Sequence, residues 1–137
     1  MDSPYRFLYN GRDSSDIRIR GCEMAKDCVF CKIIGGEIKS DFLYQDDKVV
    51  AFRDINPKAP THILIIPREH IASLVDTTSK HEKLLGHMAN VATALAKSEK
   101  VDKKGYRLIM NAGPDSGQEV PHIHLHLLGG HKLAPLG

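Results

Sequence analysis

HIHLHLL, running from His122 to Leu128, places three imidazoles at alternate positions with Ile123, Leu125 and Leu127 between them. Strict alternation is the periodicity of a strand, so the rings project from one face while the aliphatic residues pack on the other. Residues two apart in a strand lie about 6.5 to 7 Å apart, which separates His122 from His126 by roughly 13 Å of backbone rise. A single metal ion with bonds of about 2 Å to nitrogen can hold neighbours of the trio, but hardly all three. At least one histidine is therefore left for another task.

Outward from this strand, the segment from Asn111 to Pro121 (NAGPDSGQEVP) is a Gly- and Pro-containing loop, and Tyr106 to Met110 reads as another strand. Leu84, Leu85, Met88, Val91, Ala92 and Leu95 recur at helical spacing, so one long amphipathic helix is expected from Ser79 to about Val101. His62 to Ile66 is a β-branched run ended by Pro67, the mark of a buried strand. Phe42 to Gln45 and Val49 to Arg53 form a hairpin around Asp46, Asp47 and Lys48, and CVFCKIIGGEI from Cys28 is a short helix stopped by Gly35 and Gly36. Strands in runs with a helix laid over them predict an α+β fold: an antiparallel sheet of about five strands with one long and one short helix.

A chain of 137 residues, 42% of them hydrophobic, is one domain with a sizeable core. A net charge of +2 with no dense Lys and Arg block argues against a surface for a nucleic-acid polymer. No apolar run reaches membrane-span length and no secretory signal is visible, so a cytoplasmic protein is expected. Residues 1–24 are Arg-, Asp- and Ser-rich without periodicity and read as a flexible leader, of cloning or native origin, before a domain over residues 25–137. Met24 is a candidate natural start, and Cys22 then stands outside the domain as an incidental thiol.

The polar histidine face and the small-residue loop suit phosphoryl chemistry, where catalysis is mostly positioning and stabilisation of negative charge. Small residues let backbone N–H groups approach an anion, and Asn111, Gly117 and Gln118 add uncharged donors. A neutral imidazole is a competent nucleophile at pH 7, provided its other nitrogen is fixed by a hydrogen bond.

HIHLHLL matches the pattern HφHφHφφ, with φ apolar, and CVFCKIIGGEI, VVAFRDINPKAPTHILIIPREHI and LIMNAGPDSGQEVPHIHLHLLGG stand around it in order. With these motifs the chain from Cys28 to Gly130 resembles the histidine triad nucleotide-binding proteins. The resemblance implies hydrolysis or transfer at a nucleoside monophosphate group through a nucleotidyl-histidine on His124, with His122 completing the triad and His126 contacting the phosphate. It implies that Asn111 and Gly117 hold the phosphate and leaving group, and that Asp54 binds the ribose. Val29, Phe30, Ile33, Phe52, Ile55 and Leu64 would wall the purine, although an apolar wall is also what a core contains. A homodimer through the long helix and an edge strand is implied as well. Where the eukaryotic phosphoramidase branch has a serine, this chain has Glu119, either meeting an amine leaving group or simply solvated; GQEVPH is closer to the bacterial members. Dinucleoside polyphosphate hydrolysis and non-catalytic nucleotide binding are the alternatives.

Cys28 and Cys31 put two soft ligands on one turn, for which His62 and His122 are the candidate partners in a closed, structural zinc site. A redox pair or two buried thiols are the competing readings. His70, His81, His87 and His131 are expected in solvated or capping roles.

Overall fold

Val49–Arg53 (β2) and Thr61–Pro67 (β3) are buried along almost their whole length, as befits strands covered on both faces. They form the middle of a five-stranded antiparallel sheet in the computed structural model, which describes residues 27–136. The leader, Cys22 and Met24 lie outside the described residues. Phe42–Gln45 (β1) pairs with β2, Leu125–Gly129 (β5) with β3, and Tyr106–Ile109 (β4) with β5 at the far edge. The α+β architecture expected from the sequence is present, with Val29–Ile34 (α1) as the short helix and Glu82–Ser98 (α2) as the long one. No described helix is long and apolar enough to cross a membrane.

The period-2 pattern sorts side chains into two layers. Val49, Ala51, Ile63, Ile65, Ile123, Leu125 and Leu127 meet Met88, Val91, Ala92 and Leu95 of α2 in the main core. Val50, Phe52, Leu64 and Ile66 face the other way, against Phe30, Cys31 and Ile34 of α1. Six residues of helix cover only part of that second face. What remains open is where the site lies.

Two local devices set the edges of this frame. The Asp46 carboxylate accepts from the backbone N–H groups of Lys48 (2.7 Å) and Val49 (2.8 Å), closing the β1–β2 turn. Gly36, at φ +84°, takes the left-handed geometry that stops α1.

One detail departs from the expected strand. The histidine strand begins only at Leu125, because β3 stops at Pro67, which has no N–H to extend the ladder. Ile123 N–H turns instead to the Ile71 carbonyl, 2.8 Å away, so His122 and His124 precede the regular strand while Ile123 still enters the core.

Candidate functional site

The open part of the α1 face is a cleft of about 590 Å³. His124 and His126 line it beside Asn111, Gly117 and Glu119 from the loop, and Asp54 stands across from them. Val29, Phe30, Ile33, Phe52 and Leu64 make its apolar side; Ile55 reaches only the rim, 92% exposed. Lys58, His62 and Val120 line the cleft too, and the sequence reading did not assign them to it.

Hydrogen bonds fix the tautomers of the triad. His124 Nδ1–H donates to the His122 carbonyl oxygen at 2.8 Å, which leaves Nε2 with its lone pair. The ring is nearly buried, with Phe30 packed edge-on at a centroid distance of 5.1 Å. His122 Nε2–H donates to the Pro67 carbonyl at 2.8 Å, so its Nδ1 lone pair is turned the opposite way, into a buried cluster.

That cluster is Cys28, Cys31, His70 and His122. His122 Nδ1 lies 3.3 Å from Cys28 Sγ, 3.6 Å from Cys31 Sγ and 3.2 Å from His70 Nδ1, and Cys31 Sγ lies 3.3 Å from His70 Nδ1. The edges of a tetrahedron with zinc bonds of about 2.3 Å to sulfur and 2.0 to 2.1 Å to nitrogen are roughly 3.3 Å between nitrogens and 3.6 Å between nitrogen and sulfur. The four donors fit that ion. Two thiolates also balance a divalent charge, leaving a neutral unit, the condition for burying it.

The expected ligand set is corrected at one position. His62 is not with the cysteines: it stands on β3, with Nε2 2.9 Å from His126 Nδ1 and 3.4 Å from Asp54 Oδ2. The fourth donor is His70, for which a solvated or capping role had been expected. The backbone turns back after Pro67 and carries His70 beneath the N-terminus of α1. Gln118 is also corrected, since its amide is spent within the chain. Its Nε2 donates to the carbonyls of Ala72 (2.7 Å) and Val120 (3.0 Å), and its Oε1 accepts from Gly113 N–H at 2.9 Å. It braces the loop from both ends, while Gly117, at φ +89°, supplies the left-handed turn beside the cleft.

Burial pushes the His126 pKa down to about 4, with the nearby His124 and His62 rings adding to the effect and Asp54 opposing it. Burial likewise lowers His122 to about 4, against the Pro67 hydrogen bond. A histidine depressed in the fold takes up its proton in the unfolded chain first, near pH 6.5, and in the fold only near pH 4. The contribution of these two histidines to stability is therefore full above pH 6.5, falls as the pH drops between 6.5 and 4, and changes no further below that. Urea midpoints at pH 7, 5.5 and 4 should show this fall, and His126→Asn should reduce it; an equal fall in both proteins would exclude His126 as its source.

Comparison with known proteins places the chain in a family. The HIT domain model matches residues 35–133. Purine nucleoside phosphoramidase of Escherichia coli K12 is 55% identical over 113 residues, 82% of this chain and 95% of that protein. A 14 kDa zinc-binding protein of Zea mays is 49% identical over 107 residues, 77% of this chain and 83% of its own. Among solved structures, a HIT family hydrolase from Legionella pneumophila superposes with a TM-score of 0.77 at 47% identity, covering 79% of this chain and 96% of that one. This chain belongs to the HIT domain family.

Proposed function

We propose that this protein is a hydrolase that cleaves purine nucleoside 5′-phosphoramidates, or related conjugates of AMP, through a covalent nucleotidyl intermediate on His124. One observation carries the reading: the His122 carbonyl holds His124 Nδ1–H, so that an imidazole lining the cleft keeps Nε2 as a nucleophile. In the first step Nε2 attacks phosphorus, the P–N bond breaks, and the amine leaves with its electron pair and a proton from solvent. The charge on the substituted ring is offset by the carbonyl at Nδ1. In the second step water attacks the same phosphorus, the P–Nε2 bond breaks, AMP is released, and the proton from water passes to solvent.

The other cleft residues fall into supporting roles. His126, Asn111 and the backbone at Gly117 hold the phosphate, Asp54 the ribose, and the apolar wall from Val29 to Leu64 the base; Glu119 stands at the leaving-group side. The phosphoramidase named among the relatives supports the substrate class. Cys28, Cys31, His70 and His122 hold one zinc ion in a closed structural site, consistent with the zinc-binding maize relative. A second copy pairs across the exposed edge of β4 and the adjoining face of α2 to form a homodimer.

Incubation with adenosine 5′-phosphoramidate and, separately, with diadenosine polyphosphates tests the reaction. AMP release from the phosphoramidate at the higher kcat/KM is the expected result. Preference for the polyphosphates would move the assignment to that hydrolase class, and turnover of neither would end the enzymatic reading.

A further inference from the structure

Cys28 and Cys31 are placed to react with each other as well as to hold an ion. Cys28 is the N-cap of α1 and Cys31 its third residue, so the two thiols stand one turn apart, and Cys28 Sγ accepts from Cys31 N–H at 3.4 Å. The ligand atoms of their cluster all lie within 4.8 Å of one another, so the two sulfurs can join with side-chain movement alone. Both cysteines and His122 are buried, and His70, against Cys31 Sγ at 3.3 Å, is the one member of the cluster that is half-buried. A small solute therefore reaches Cys31 along the His70 ring.

We propose that Cys28 and Cys31 are a redox-sensitive pair, which hydroperoxides convert to a disulfide, releasing the structural ion and slowing the reaction at His124. The inference rests on the zinc site and the nucleophile assigned above. Thiols held by a divalent ion are deprotonated, and the thiolate is the form that attacks a peroxide. In the first step Cys31 Sγ attacks one oxygen of hydrogen peroxide, the O–O bond breaks, and the departing hydroxide takes a proton from solvent, which leaves Cys31 as a sulfenic acid. In the second step Cys28 Sγ attacks Cys31 Sγ, the S–O bond breaks, and the hydroxide released is protonated to water in the same way. The two sulfurs have together lost two electrons, and the two peroxide oxygens have gained them. The imidazoles of His70 and His122 remain, neutral donors that neither complete a tetrahedral site nor balance a divalent charge.

The change reaches the cleft through Phe30, which lies between the two cysteines on α1. Its ring packs edge-on against His122 at a centroid distance of 5.8 Å and against His124 at 5.1 Å. A disulfide pulls the two sulfurs into bonding distance and tightens the turn that carries this ring. Cys28 Sγ also gives up the negative charge with which it caps α1. His122 Nδ1 loses the ion that fixed its ring, and the carbonyl of the same residue holds His124 Nδ1–H at 2.8 Å. Misplacing a reacting group by about 1 Å costs on the order of 10²-fold, so kcat/KM should fall by about 10- to 100-fold on oxidation.

The test uses the full chain, as wild type and as Cys22→Ser, which leaves Cys28 and Cys31 as its only thiols. Reduced protein is first assayed for zinc and for turnover of adenosine 5′-phosphoramidate, then exposed to millimolar hydrogen peroxide with a colorimetric zinc indicator present. About one zinc per chain should be released, in both proteins, as the rate falls. The tryptic peptide spanning residues 27–32 should lose two hydrogens and resist alkylation. Dithiothreitol with added zinc should restore the rate, which separates a disulfide from methionine sulfoxide or a sulfinic acid, neither of which it reverses. Retention of zinc and of both alkylatable thiols would overturn the proposal, and so would a disulfide formed with kcat/KM unchanged. Reduced protein without zinc would end the metal assignment, and reduced protein without turnover the hydrolase assignment, each taking the switch with it. Both are read before any oxidant is added, so they are distinguishable from failure of the switch in a loaded, active protein.

Discussion

His124→Ala should lower kcat/KM for adenosine 5′-phosphoramidate by at least about 10⁴-fold, because in the proposed route it removes the atom that forms the bond to phosphorus. Binding should survive. The phosphate donors from the loop and the apolar wall are separate from the His124 ring, so the Kd for AMP should stay within about tenfold of wild type. His126→Ala should lose less, about 10²- to 10³-fold, since it removes one stabilising N–H and leaves the nucleophile in place. Rapid-quench mass spectrometry on wild-type protein should find an AMP adduct on His124 and none in the alanine variant. A His124→Ala enzyme within tenfold of wild-type rate would sink the covalent route and leave direct attack by water as the chemistry. The ranking follows from the proposed roles: His124 would form the bond to phosphorus, whereas His126 would only contact the phosphate.

What the sequence showed and what it hid divide along the reach of each interaction. Alternation in HIHLHLL records burial directly, since Ile123, Leu125 and Leu127 must meet α2, and this made the sheet, its faces and the triad legible. The helical spacing from Leu84 to Leu95 was legible for the same reason. His70 was not. Its position depends on where β3 ends and how the chain turns after Pro67, and no periodicity records such a turn. His62 drew notice as a strand residue, yet its neighbour is set by sheet register: β3 pairs with β5 so that Leu64 faces His126 and His62 faces Leu128, leaving the two rings diagonal on one face. That register exists only once the strands are paired. Gln118 illustrates a third limit, because an amide in an anion loop looks like a ligand donor until carbonyls at Val120 in the loop and at Ala72, beyond β3, claim it.

The correction from His62 to His70 has a large measurable consequence. Protein purified without chelator should contain about one zinc per chain; His70→Ala and Cys31→Ala should lose it, and His62→Ala should keep it. The loss should also be felt in the fold. Cys28 caps α1, accepting from Cys31 N–H at 3.4 Å, and the helix so anchored places Phe30 against both His122 and His124. A ligand bound only by the folded state at 100 to 1,000 times its Kd contributes about 3 to 4 kcal/mol, which for a domain of this size corresponds to a fall in Tm of roughly 10 to 20 °C on removal. Differential scanning calorimetry with and without chelator should show that drop in wild type and in His62→Ala, but not in His70→Ala, whose Tm should already be low. The coupling runs into the site through one peptide group, since the residue whose ring completes the cluster also lends its carbonyl to the His124 Nδ1–H. Zinc below about a tenth of an equivalent per chain would remove the metal from this account, and zinc retained by His70→Ala but lost from His62→Ala would return the fourth ligand to His62.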